Sequence, residues 1–250
     1  MHRRLVQTLA LCSVVPALLV AQGGPPQQQQ PPKNLQVLPK DLPRGQVVQI
    51  MRTVAGALGQ RCDYCHVEAP DGNFQNMDFA SDEKETKKVA REMMKMTMDI
   101  NQKYIPAMGR TLNDRSLVRC VTCHRGVAKP RSLQVEIVEA YEKGGVDSAM
   151  TKYRGLRERY YGRSSYDFGE MPLLEVADEL GRKPEQRKDA MRMMQLNLEY
   201  FPKSGPTFTG LANGALQLGD TTAAIASYQK ALEIDPNNPM AKRMLGILKK

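Results

Sequence analysis

Histidine is scarce in this sequence: there are three in 250 residues, at positions 2, 66 and 124. With His2 in an N-terminal leader, His66 and His124 are the two imidazoles left; if each serves one site, neither site has a second histidine ligand and none is spare for acid–base work. Cysteine is nearly as sparse, with five residues. Beyond the leader no apolar run reaches the ~20 residues needed to span a bilayer. The basic residues are scattered, as in Lys84, Lys87, Lys88, Arg91, Arg182, Lys183, Arg187 and Lys188. They lack the interleaved aromatics of a single-strand nucleic-acid groove, so nucleic acid is not an expected partner. No strand–helix alternation surrounds the thiols, which argues against a thioredoxin-like dithiol.

What is present is concentrated in two five-residue stretches, Cys62-Asp63-Tyr64-Cys65-His66 and Cys120-Val121-Thr122-Cys123-His124. Both read C-x-x-C-H, the attachment signature of a c-type haem. Two thiols one helical turn apart can each add to a vinyl group of one porphyrin, and the adjoining histidine lies where a proximal iron ligand is needed. Outside the leader, these motifs use every cysteine and histidine of the chain. Two covalent haems are therefore expected, on Cys62 and Cys65 with His66, and on Cys120 and Cys123 with His124. Zinc is the competing reading. It would leave the histidines unexplained, and zinc-ribbon thiol pairs lie closer together, about 15–20 residues apart.

The leader sets the expected compartment. Met1 to Arg4 is basic, Leu5 to Val20 is apolar with a break at Pro16, and Ala21 is a plausible cleavage residue. This predicts an exported, periplasmic protein with a signal peptide over 1–21, or a tethered one if the leader is kept. Cys12 follows a bulky leucine and reads as a leader residue. Residues 22–43 are Gln/Pro-rich and predict a disordered, extended linker. Residues 44–131 hold both motifs and form the expected haem domain. The formal charge of +9 reads mainly as solvated helix faces, with electrostatic steering toward an acidic redox partner as its functional share.

Each motif follows an amphipathic helix. Arg44 to Leu58 carries Val47, Val48, Met51, Val54, Ala55 and Leu58 on one face, and Gly59 supplies the stop. A second helix starts near Ser81 or Asp82, with Glu85 in capping-box position, and runs to about Tyr104 before Pro106. Its stripe is Val89, Met93, Met96, Ile100 and Tyr104, with Met94 and Met98 on a neighbouring face. A sixth iron ligand falls to methionine by exclusion, and a thioether raises the reduction potential relative to a second histidine. Periodicity alone does not separate ligand from core filler at Met51, nor choose among Met93, Met94, Met96 and Met98.

The stretch from about Arg44 to Pro130 resembles the cytochrome subunit of bacterial photosynthetic reaction centres. The match rests on Met51 with Leu58-Gly59 and the first motif, then on Val89-Ala90-Arg91-Glu92-Met93, Met96-Thr97, Ile100-Asn101 and Cys123-His124-Arg125-Gly126. The resemblance implies helix–turn–C-x-x-C-H units, an electron-carrier role, and distal ligands at Met51 and Met93. Photosynthetic members carry four haems, whereas this chain has two motifs, which leaves the role open between a photosynthetic and a respiratory chain.

From about Ser132 the pattern changes. Ala224, Tyr228, Ala231 and Pro236 resemble a tetratricopeptide repeat, and a shift of about 34 residues, that repeat's period, gives Ala190, Met194, Asn197 and Pro202. A weaker copy has Ala149, Tyr153 and Leu156, with an insertion from Gly162 to Gly169 behind it, and Met240 to Lys250 would close the array. Residues 132–250 are thus expected to form a repeat domain suited to docking protein partners. The expected whole is an all-α dihaem cytochrome c followed by tetratricopeptide-like repeats, carrying single electrons rather than acting as an enzyme. The alternatives are a dihaem peroxidase-like enzyme and an assembly protein with structural haems.

Overall fold

The computed structural model describes residues 32–109 and 117–249. The leader, residues 22–31 of the Gln/Pro-rich stretch, Asn113 and Lys250 lie outside the described residues. Within them the chain is helical and has no strand; two residues, Val67 and Asp78, form an isolated antiparallel bridge.

Helix α1 spans Arg44–Leu58 and ends at Gly59, whose left-handed φ of 62° turns the chain so that the Gln60 N–H reaches back to the Ala55 carbonyl at 3.0 Å. A β-carbon would disfavour that conformation. The first motif follows at once as a turn of 3-10 helix over Cys62–Tyr64. Helix α2 spans Glu85–Asp99 and begins after Lys84 without a side-chain cap. The capping box expected at Asp82 does not form, because Asp82 is engaged by Lys87, Arg91, Asn34 and Gln36 instead. After Asp99 the helix widens into a π-helical turn over Ile100–Tyr104 and resumes as α3, Ile105–Ala107, through Pro106. A wider turn ahead of a proline accommodates its ring and its missing N–H. Helix α4 is the second motif itself, Cys120–His124.

The repeat region packs as consecutive antiparallel hairpins. Helix α5, Leu133–Tyr160, is broken at Gly144 and Gly145, the latter with φ of 70°. Its two halves therefore form the first hairpin. Helices α6 (Met171–Gly181) and α7 (Arg187–Tyr200) form the second, α8 (Gly205–Gln217) and α9 (Thr221–Ile234) the third, and α10 (Pro239–Leu248) closes the array. The small and aromatic residues expected at the repeat positions are the core. Ala149, Tyr153, Ala224, Tyr228 and Ala231 are fully buried, with Leu173, Met193 and Leu196 between them. Ser132, Ser204, Asp220 and Asn238 cap α5, α8, α9 and α10 through their side chains.

The insertion after α5 packs rather than loops out. Arg157 lies 4.2 Å from the Tyr161 ring and 4.3 Å from the Tyr200 ring and donates to the Phe168 carbonyl at 3.1 Å. Tyr166 meets Tyr160 at 5.4 Å. This aromatic cluster fixes residues 162–169 against the first and second hairpins.

Candidate functional site

Each motif is gripped by a collar of hydrogen bonds from elsewhere in the chain. Around the first, the beginning of α2 supplies the grip. The Lys84 ammonium donates to the Asp63 carbonyl, and the Thr86 hydroxyl donates to the Tyr64 carbonyl at 2.5 Å. The Asp78 carboxylate accepts the N–H groups of Ala80 and Ser81, each at 2.9 Å, and shapes the turn that brings Phe79 edge-on to His66 at 5.1 Å. Asn34 and Gln36, near the end of the Gln/Pro-rich stretch, are tied to Ala80 and Asp82, and Arg91 donates to the Asn34 carbonyl.

Around the second motif the partners come from farther away. The Asn101 amide, on the π-helical turn, donates to the Val118 carbonyl and accepts the Val118 N–H, both at 2.8 Å. The Thr122 hydroxyl accepts the Arg119 N–H at 3.0 Å. The Gly126 N–H donates to the Ala57 carbonyl of α1 at 2.8 Å. Gly59 lies so close that a β-carbon there would meet the Gly126 oxygen at 2.1 Å. Arg125, in the left-handed region at φ of 46°, has its carbonyl held by the buried Ser165 hydroxyl at 2.6 Å. The same helix end that delivers the first motif therefore braces the second.

The two imidazoles are set for ligation. The His124 ring faces the Val127 carbonyl through Nδ1 at 3.0 Å, a contact that fixes ring orientation and leaves Nε2 for a metal. His66 has a buried Nδ1 without a hydrogen-bond partner. Burial, and after it the nearby Lys87 charge, pushes its pKa below the ordinary histidine range, which favours the neutral, ligating form. Burial also pushes the Cys65 thiol up, against the opposing hydrogen bond from Thr86.

The helix ahead of each motif carries apolar side chains that the protein only partly covers. Along α1, Met51, Val54 and Leu58 are half-buried and Val48 is exposed. Along α2, Val89, Met93 and Met96 are exposed in one row, Met98 is exposed on another face, and Met94 is half-buried. Paired thiols with an adjoining imidazole, on a scaffold whose helices carry exposed apolar rows, suit a flat hydrophobic macrocycle, so the residues present fit a covalent haem. Among the described residues no three histidines, cysteines or acids converge as a metal-ion site; each motif stands with its own imidazole.

Lys84, Thr86 and Ser165 were not legible as site residues. Asn101 stood in the sequence only as part of a family pattern, and its hydrogen bonds explain why an amide belongs there.

Paired thiols, an adjoining imidazole and an all-helical scaffold define a c-type cytochrome. The chain belongs to the photosynthetic reaction centre cytochrome C subunit family, whose profile matches residues 2–170. Residues 215–248 match a tetratricopeptide (TPR) repeat. Cytochrome c-554 of Chloroflexus aurantiacus is 37% identical over 81 residues, a match covering 32% of this chain and 17% of that protein. The chain thus spans well under a fifth of that relative's length in the match.

Proposed function

We propose that this chain is a periplasmic dihaem c-type cytochrome that carries single electrons between redox proteins, with the repeat region docking a partner. Cys62 and Cys65 would hold one haem by thioethers and Cys120 and Cys123 the other. His66 and His124 would be the proximal ligands, and Met51 and Met93 the distal ones. The observation that carries this reading is the pair of collars: two thiol–thiol–imidazole sets, each fixed by side chains with no other evident task. When bound, each haem iron takes up and releases one electron, and a thioether on the distal side favours the ferrous state.

The chain's own part is positional. Val127 orients the His124 ring, and Phe79 and the α2 turn pack the His66 ring. The apolar rows on α1 and α2 would pack a haem's apolar surface away from water. Met93 stands in the exposed row with Val89 and Met96, while Met94 is half-buried. The resemblance to the family supports Met93 within that row. The chain retains no acid–base histidine beyond the two ligands, which speaks for a carrier rather than a peroxidase.

Intact mass of the exported, matured protein tests the reading: it should exceed that of the polypeptide by two haems. The oxidised protein should show a near-infrared sulfur-to-iron band that weakens by half in Met51→Ala and in Met93→Ala. A colourless product, or one of bare polypeptide mass, overturns the proposal.

A further inference from the structure

Lys87 is the one charged side chain among the buried polar residues described, with 8% of its surface exposed. Lysine is seldom buried unless its ammonium is fully partnered. Here three N–H bonds meet the carbonyls of Phe79 at 3.0 Å, Ala80 at 3.0 Å and Ser81 at 2.6 Å. The Asp82 carboxylate lies 3.2 Å away, but it also serves Arg91 at 2.7 Å, so one negative charge faces two positive ones. Those carbonyls belong to the turn whose Phe79 ring packs against His66. The lysine therefore fixes the wall of the first motif and places a poorly screened positive charge behind it. An apolar side chain could fill the same space; only a cation does both.

We propose that Lys87 is a positioning residue for the His66 site whose charge raises the reduction potential there. A fixed positive charge in a poorly solvated setting disfavours the ferric state, which carries one more positive charge than the ferrous state. The inference rests on His66 holding a haem iron, and the couple concerned is the one-electron ferric–ferrous couple, with the electron supplied by the titrant.

The test is a spectroelectrochemical titration of the full-length holoprotein. Lys87→Met keeps most of the side-chain length and removes the charge. One of the two potentials should fall by about tenfold in the ferric-to-ferrous ratio, about 59 mV for one electron, while the other holds. Lys87→Arg should stay near the parent value. Lys88→Met, at the exposed neighbour paired with Glu85, should leave both potentials in place. If Lys87→Met fails to fold or to take up haem, Asp82→Asn reads the same charge with the opposite sign and should raise that potential. Two haems by mass with both potentials unmoved in Lys87→Met, or a potential lowered in Asp82→Asn, overturns the role of Lys87 alone. A parent protein lacking haem on Cys62 and Cys65 overturns the haem reading on which it stands.

Discussion

Among the described residues between 44 and 131 the buried apolar side chains are Val47, Ala57, Ala69, Ile105 and Val127, mostly small and spread along the chain. Beyond residue 132 the buried set includes Tyr153, Tyr228, Leu133, Ile137, Leu173, Met193 and Leu196, gathered into two continuous clusters. The helices differ in the same way. Helices α1 and α2 start without side-chain caps, whereas four helices of the repeat region have them. A fully buried leucine or similar side chain contributes about 1.5–3 kcal/mol, and a good N-cap about 1 kcal/mol. The repeat region has both sources of stability. The first region has backbone collars and exposed apolar rows, and on the proposed reading the porphyrins supply the missing apolar core.

The sharpest way to break this contrast is to remove the thiols. With Cys62, Cys65, Cys120 and Cys123 all changed to Ala, the first region should lose protection from proteolysis while a fragment beginning near residue 132 persists and stays helical by circular dichroism. Equal resistance in both regions would erase the distinction.

A core truncation tests the other half. Leu173 is fully buried in α6, so Leu173→Ala should destabilise the repeat region by about 3 kcal/mol in denaturant unfolding. The haem absorption should be unchanged in folded protein. A matching loss of haem colour would show that the two regions unfold as one.

The smallest effect concerns acid. The Arg91 guanidinium, with Asn34 second, holds the Asp82 carboxyl well below the usual carboxylate range. Its stabilisation is complete above the ordinary carboxylate pKa of about 4 and is lost as pH falls through the depressed value. The thermal midpoint of the first region should therefore drop on acidification more steeply in the parent than in Asp82→Asn. Parallel curves for the two proteins would remove Asp82 from the collar's stability.

How much of this was readable in the sequence follows from the range of each interaction. Helix α1 and its stop at Gly59 come from local periodicity and a local stop signal, and the structure has α1 as Arg44–Leu58 ending at Gly59; the repeat spacing likewise picks out Ala149, Tyr153, Ala224, Tyr228 and Ala231, all fully buried. The thiols and imidazoles are legible because their spacing is itself chemistry. What failed was local in form but non-local in cause. Asp82 looks like a helix cap, yet two cations and two amides from other turns compete for it. Lys87 lies in a run of exposed-looking charges, and only the fold of residues 79–82 turns it inward. Ser165 sits in what reads as a spacer, and its partner Arg125 lies forty residues earlier. No periodicity marks such a partner; only the three-dimensional path of the chain brings it near.

The two collars also close at different times. A chain appearing from its N-terminus has the first collar in hand once Arg91 is out. The second reaches back to Ala57 and forward to Ser165, so it cannot be completed until the start of the repeats has emerged. A chain cut short before residue 165 would therefore lack the Ser165 latch on the second motif while retaining every residue of the first collar.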